Sequence, residues 1–557
     1  MHWGMTAWLQ LLAVLGILGA VHVPLGDYMA RVYTSEHHWR IERFIYRMVG
    51  VDPELEQRGI WYLVSVLAFS VVSILFLLAL LMFQSHLPQP WGHYGMTLLL
   101  AINTAVSFAT NTSWQNYAGE STLGHVGLAA GLGVQAFASM AVGMAVAVAL
   151  IRGITRQDTT ALGNFWVDLV RGLVRIALPL AFVLAIVLCG LGVVQSFGAA
   201  HPITALAGGS QTLPVGPVAS WESIKLMSGD GGGAFNANSA HPFENPSALS
   251  NVIEIVVMAL IPMSLVRSYG VMVGDRRQGW ALLAVVITLF LLGTAGVGLF
   301  QNASVNTVVT AAGASAEGTE VRFGVPASAL FGQVATATAD GAANSSYGSF
   351  TSLGGAVLMA NMMLGEVSPG GPGSGLYGLV VMTLLAVFLG GLMIGRTPAY
   401  LGKRLGPREL KLVSLTLLAA PCAVLLGVAI AISVPAGTKA MGNAGPHGLS
   451  ELLYAFTSCV AGNGSAFAGF SGNTPGFNLG LAAAMLVGRY VPMILVLALA
   501  ASFARQRTTV IDDPGTLPTN TASFVGLTIG AILIVVGLEY LPALVLAPIA
   551  ESVSYSS

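Results

Sequence analysis

Ten apolar runs, near 4–25, 61–83, 123–151, 172–197, 249–274, 279–300, 376–395, 411–434, 478–503 and 522–548, divide the chain. Each is long enough to cross a hydrocarbon layer as a helix. Shorter semi-apolar segments at 95–109, 218–228, 326–337 and 449–460 stand between the second and third, fourth and fifth, sixth and seventh, and eighth and ninth runs. They are too short to span and run at once into polar stretches. These are Thr110-Asn111-Thr112-Ser113, Gly229-Asp230-Gly231-Gly232-Gly233, Thr338-Ala339-Asp340-Gly341 and Ala461-Gly462-Asn463-Gly464. Non-helical backbone at membrane depth is tolerated only where protein buries it or water wets it, because each unsatisfied N–H or C=O in hydrocarbon costs several kcal/mol. The pattern therefore predicts re-entrant half-helices that lead into pore-lining loops.

The predicted fold is an all-α integral membrane protein of about ten transmembrane helices, four re-entrant pore half-helices and four filter loops. The unit recurs at intervals of about 110 to 120 residues, which divides the chain into repeats. The expected boundaries are 1–60 for a first helix and loop, 61–152, 153–277, 278–409 and 410–507 for four pore repeats, and 508–557 for a last helix.

Composition agrees with the class: of 557 residues, 55% are hydrophobic and 8% charged. A net charge of −1 without a basic stripe argues against nucleic acid as a partner. Cys189, Cys422 and Cys459 have no pair spacing and read as small buried residues. With the amino terminus outside, segments 26–60, 152–175, 267–277, 396–411 and 505–507 fall inside and hold 19 of the 23 Lys and Arg residues. The positive-inside rule thus predicts both termini and all four filters outside. Lys225, Arg322 and Lys439 lie in or near outside segments and read as solvated surface.

Arg489 differs, because it falls within the ninth run, where an arginine facing lipid costs at least about 2.5 kcal/mol. It is a pore candidate, the alternative being a residue that ties together carbonyls of a broken helix. Glu254 is the other clear charge within a run. The segment 366–375, with Glu366, Gly370 and Gly371 among its Gly and Pro residues, interrupts an apolar stretch and must unwind it. We read it as a gate beneath the filter, against a structural kink.

A half-helix that ends at a filter aims its carbonyl end, and partial negative charge, at the pore axis, which favours cations. Neutral oxygens from Gly, Asn, Thr and Ser suit a monovalent ion. Asp230 and Asp340 either add field to the site or turn back to accept bonds from their own half-helices, and we expect the second. Histidines 93, 125, 201, 241 and 447 show no ligand spacing. The chain carries neither a P-loop nor an Asp-Lys-Thr-Gly sequence, so it is not an enzyme by itself and its energy comes from a partner or a gradient.

The block Gly231-Gly232-Gly233-Ala234-Phe235-Asn236-Ala237-Asn238-Ser239-Ala240-His241-Pro242-Phe243-Glu244-Asn245-Pro246 resembles that of the potassium-binding A subunit family of the Kdp potassium-transporting P-type ATPase. Thr110-Asn111-Thr112, Glu320-Val321-Arg322-Phe323-Gly324-Val325-Pro326, Leu364-Gly365-Glu366-Val367, Gly395-Arg396-Thr397-Pro398, Asn463-Gly464-Ser465-Ala466-Phe467 and Gly515-Thr516-Leu517-Pro518-Thr519 are similar too. The resemblance covers essentially the whole chain.

It implies a potassium channel superfamily-like fold, related to the Trk and Ktr transporters, in the bacterial plasma (inner) membrane. It also implies high-affinity potassium import with a P-type ATPase B subunit, a C subunit and a small F subunit, potassium being the transported ion and no organic cofactor being involved. The filter positions carried over are Thr110, Asn111, Thr112, Asp230, Gly231, Gly232, Thr338, Ala339, Asp340, Gly341, Gly462, Asn463 and Gly464, with Glu366 and Arg489 near a tunnel below. The chain departs from the family pattern at Ser228-Gly229-Asp230, Asp340 and Gly462, which bears on ion affinity rather than architecture. A stand-alone potassium channel or gradient-driven transporter of the same fold is the alternative. A quinone- or proton-handling subunit would need paired Lys and Glu in several spans and ranks far below.

Overall fold

The structure, a computed structural model, describes residues 5–87, 95–301, 316–365, 367–393, 395, 398–507 and 517–556. Glu366, His93, Arg396, Thr397 and the Gly515-Thr516 pair lie outside the described residues.

Ten helices among the described residues are long and apolar enough to cross a membrane: Met5–Thr34, Gly59–His86, Gly127–Thr155, Phe165–Gly190, Ala248–Met272, Arg276–Gln301, Ser374–Met393, Pro407–Ile432, Pro475–Arg505 and Ala522–Ser554. They coincide with the ten apolar runs. The four short segments fold as helices Leu98–Ala109, Val218–Ser228, Gly324–Ala337 and Gly445–Ala461. Each sits between an outer and an inner span, so the order outer span, half-helix, loop, inner span occurs four times.

In each of the four units the inner span is more buried than the outer one. The outer helices Gly59–His86, Phe165–Gly190, Arg276–Gln301 and Pro407–Ile432 have 28, 33, 50 and 22% of their most apolar stretch buried, against 89, 78, 67 and 44% for the inner helices. The inner helices therefore form the wall around the centre, and the outer ones present Leu, Val, Ile and Phe to lipid. The first span lies along Ala248–Met272, and the last lies on Ser374–Met393 and Arg276–Gln301.

Small residues let the inner helices approach closely. Gly153 on Gly127–Thr155 faces Ala500 on Pro475–Arg505, and a Cβ on Gly153 would come within 2.6 Å of the Ala500 Cα.

Three expectations need correction. Cys189 and Cys422 are exposed on outer helices, and only Cys459 is buried, because an apolar neighbourhood in sequence is as often lipid as protein. Lys225 is not solvated surface but fully buried. Arg322 is half-buried, donating to the carbonyls of Ala240 and Asn245, while Lys439 is exposed as expected.

Candidate functional site

Each half-helix ends in the same way. The residue after the helix turn takes a left-handed backbone at Asn111 (φ 60), Gly229 (φ 58), Ala339 (φ 61) and Gly462 (φ 81). The next residue then donates its N–H five residues back, Thr112 to Ser107 at 2.9 Å, Asp230 to Lys225 at 3.2 Å, Asp340 to Ala335 at 3.1 Å and Asn463 to Ser458 at 2.9 Å. These bonds align the loops position by position: Thr112, Asp230, Asp340 and Asn463 are equivalent. One residue further, Ser113 (φ 57), Gly231 (φ 91) and Gly464 (φ 94) are left-handed again. Two glycines, one asparagine and one alanine thus satisfy one backbone plan at the first left-handed position, although glycine alone meets no strain there.

The four loops close into a ring. Gly341 N–H donates to the Asp230 carbonyl at 3.3 Å, joining loops three and two. Asn463 Nδ2 donates to the Asp340 carbonyl at 3.1 Å and the Ala335 carbonyl at 3.0 Å, joining four and three. Gly464 lies so close to the Thr112 carbonyl that a Cβ would overlap it, joining four and one. Asn111 Nδ2 donates to the Gly229 carbonyl at 2.7 Å, and Ser113 Oγ donates to Asp230 Oδ1, joining one and two.

The expectation that Asp230 and Asp340 turn back to their half-helices is not met. Asp230 accepts from Ser113 in the neighbouring loop, and Asp340 Oδ1 accepts from its own loop at Ala342 N–H, 2.9 Å away. Asp230 Oδ2 and Asp340 Oδ2 are buried without a hydrogen-bond partner.

Ser113, Gly232, Gly341 and Gly464, one residue from each loop, form part of the floor of a vestibule of about 620 Å³. A second cavity of about 120 Å³, lined by Ala461, Gly462, Arg489 and Glu539 among others, touches the ring only at the fourth loop.

The unwound segment after helix Ser352–Met363 packs under the second and third loops. Gly370 N–H donates to the Ala337 carbonyl at 2.8 Å, and a Cβ on Gly371 would stand 2.9 Å from Ala339 Cβ. Pro372 reaches Gly229 on one side and Gly143 on the other. Arg489 is buried, its Nη2 donating to the Ser139 carbonyl at 3.0 Å. It thus ties a carbonyl of the first inner helix and lines the second cavity.

Behind the second loop lies a buried ionic cluster that sequence reasoning missed. Lys225 Nζ stands 2.9 Å from both Glu222 and Glu244, and donates to Asn238 Oδ1 at 2.6 Å and Ser239 Oγ at 3.0 Å. Glu244 Oε1 in turn accepts from Phe235 N–H at 2.9 Å. Asn245, Ser250, Asn251 and Asn344 continue the network toward the third loop. The 229–246 block is thus held in shape by its own polar residues together with Glu222 and Lys225 of the preceding half-helix, which satisfies its non-helical backbone and side chains without a helix ladder. The available signal was the spacing of Glu222 and Lys225, three apart on one helix face.

Glu539 was also missed, although it lies inside the tenth run. Among the described residues no group of three or more His, Cys, Asp or Glu could hold a metal ion, and His125, His241 and His447 each hydrogen-bond within the protein.

Residues 12–553 match the family model described as the potassium-transporting ATPase A subunit. The chain belongs to this family. Relatives named potassium-transporting ATPase potassium-binding subunit include one from Mycobacterium sp. (strain KMS), 54% identical over 538 residues and 96% of each chain. Those of Clavibacter michiganensis and Kineococcus radiotolerans are 50% and 52% identical, covering 98% of this chain and 99% and 98% of theirs. The crystal structure of the potassium transporter TrkH from Vibrio parahaemolyticus matches with a TM-score of 0.55 over 89% of this chain and 100% of that one. At 15% identity that likeness speaks for the fold, a potassium-channel-like one. As a member of the A subunit family the chain is a multi-pass membrane protein of potassium transport.

Proposed function

We propose that the ring is a potassium filter and that this chain is the ion-selecting, non-hydrolytic subunit of an ATP-driven potassium importer. The observation that carries the reading is the fourfold equivalence at Thr112, Asp230, Asp340 and Asn463, in a ring that floors an open vestibule. Alternating left- and right-handed residues turn successive peptide planes the same way, so neighbouring carbonyls can replace the hydration shell of one cation. The unpartnered carboxylate oxygens of Asp230 and Asp340 favour the same charge. The filter residues are those named from the sequence, from Thr110 to Gly464, and each repeat (61–152, 153–277, 278–409 and 410–507) supplies one loop.

In this reading the vestibule and both termini face outside, with the basic loops inside a bacterial plasma membrane. The ion enters from the vestibule, passes the ring and stops above Gly370, Gly371 and Arg489. The guanidinium and the packed break obstruct a straight descent, so the ion leaves sideways to a P-type ATPase B subunit, in a complex completed by C and F subunits. Glu366 belongs to the same break by sequence.

The test is uptake of a potassium tracer into proteoliposomes holding this chain alone or with its co-purifying partners, each with and without ATP. Uptake against a gradient only with partners and ATP is the expected result. Passive conduction by the chain alone, indifferent to ATP, would make it a channel.

A further inference from the structure

The fourth half-helix begins at a histidine held between two carboxylates. His447, in the first turn of Gly445–Ala461, has Nδ1 2.9 Å from Glu551 Oε1 on the last helix and Nε2 3.9 Å from Glu451 Oε1 on its own helix. Both glutamates are buried. A neutral imidazole donates from one ring nitrogen only, so a carboxylate at each nitrogen calls for the charged ring. The bond to Glu551 and the charges of both glutamates raise the His447 pKa above 6.5 against the opposing effect of burial. Among the described residues these are the charged groups that face it; helix Ser352–Met363 and the segments 440–444, 465–470 and 545–549 contribute none.

From His447 a chain of contacts leads to the ring. Its imidazole lies nearly parallel to the Phe467 ring of the fourth loop, with centroids 6.1 Å apart and planes at 15°. Phe467 stacks on Tyr454 at 4.2 Å, and the Tyr454 and Ser465 hydroxyls are hydrogen-bonded at 2.8 Å. Ser465 N–H donates to Asn463 Oδ1 at 3.1 Å, and Asn463 Nδ2 is the group that joins the fourth loop to the third. Phe467 has little room to shift, since a Cβ on Gly355 would stand 2.9 Å from its ring. Glu551 belongs to the last helix, outside the four repeats, so its hold on His447 couples that helix to the loop.

We infer that His447 is a positioning residue for the fourth filter loop: paired as an imidazolium with Glu551, it keeps Phe467, Tyr454 and Ser465 where Asn463 closes the ring, and potassium binds more tightly while the pair is made. The inference rests on the filter reading above and adds a residue that sets the affinity of the ring from outside it. His447 acts through the stacked rings and does not touch the ion.

The test uses the complex purified with its ATPase partner and follows the half-stimulating potassium concentration for ATP hydrolysis, with sodium in parallel, from about pH 6 to about pH 9. In wild type this concentration is expected to be lowest at the acid end and to rise about fivefold as pH passes the raised pKa, the low end of the range for coupling between distinct sites. His447→Gln should show the higher value at every pH. Glu551→Gln removes the carboxylate that favours the charged ring, so its rise should come at lower pH than in wild type. Phe467→Leu leaves the pair and breaks the stack; it should lose the pH dependence of the potassium concentration while its melting temperature still follows pH.

A rise of the same size and midpoint in His447→Gln as in wild type would overturn the proposal, and so would a Glu551→Gln midpoint equal to that of wild type. An intact pH dependence in Phe467→Leu would overturn the route through the stack. Should His447→Gln fail to assemble, the wild-type, Glu551→Gln and Phe467→Leu profiles decide by themselves. A wild type that prefers potassium over sodium at a pH-independent half-stimulating concentration sinks this inference alone. If wild type prefers neither ion at any pH, the filter reading falls and this inference with it.

Discussion

Replacing Gly341 by alanine isolates the closure of the ring from the strain of its backbone. Gly341 does not have the positive φ of its neighbours in the other loops, so an alanine there meets no left-handed penalty. Its Cβ would stand 2.6 Å from the Asn463 carbonyl oxygen and 3.2 Å from the Gly464 carbonyl carbon, both backbone atoms. Ordinary carbon–oxygen contact is about 3.4 Å, so the fourth loop must retreat by about 0.8 Å. Ligand shells tolerate about 0.2 Å, and a tenfold change in discrimination corresponds to about 1.4 kcal/mol. A loss of potassium over sodium discrimination of at least about tenfold is therefore expected, read as the ratio of half-stimulating concentrations for ATP hydrolysis by the purified complex.

Gly462→Ala is the control. Its Cβ would meet only the Asn111 and Thr110 carbonyl oxygens, at 3.5 and 4.0 Å, but its φ is +81. That variant should lose about 1–2 kcal/mol of stability, and its loss of discrimination should be smaller than that of Gly341→Ala, which crowds the neighbouring backbone. If Gly341→Ala discriminates like wild type, the loops do not form a closed ring around the ion and the geometric argument fails.

Three further outcomes are expected. Arg489→Gln should lower turnover more than it changes the half-stimulating potassium concentration, since Arg489 lies below the ring and not in it; an equal effect on both would place it in the filter. Lys225→Met leaves Glu222 and Glu244 buried without their cation, which costs about 3–5 kcal/mol, so the variant should accumulate poorly and melt far below wild type; a melting point close to wild type would show that the cluster is not ionic. The His447 imidazolium is favoured by its 2.9 Å bond to Glu551, and its pKa is raised above the ordinary value of 6.5. Its contribution to stability is complete below 6.5 and lost as pH rises through the raised value; the melting difference between wild type and His447→Gln should shrink over that rise, and a constant difference would refute the pairing.

Much of this arrangement was legible in the chain. An apolar run of some twenty residues has essentially one structure in lipid, so the ten spans followed from length alone. A segment such as 218–228, too short to cross and followed by glycines, could by itself equally be part of an outside loop, and it was the recurrence of the pattern four times that favoured re-entrant half-helices. The register of apolar and glycine-rich positions is a local property, which is why Thr110, Gly229, Thr338 and Ala461 were placed at half-helix ends from sequence, the structure moving only the fourth end by one residue to Gly462.

What sequence could not assign was the environment on the far side of each residue. Lys225 looks like a surface lysine until Glu244, nineteen positions on, folds back onto it. Cys189 and Cys422 look buried until the outer helices turn them to lipid. Asp230 takes its partner from Ser113, 117 residues earlier, and Glu539 on the last helix lines the same cavity as Gly462 of the fourth loop. The sequence by itself determined the spans, the half-helices and the loops, because those depend on hydrophobicity and backbone freedom along the chain. Only the tertiary structure decided which loops touch, which charges pair and which stand alone, because those depend on distances between segments that the chain order does not encode.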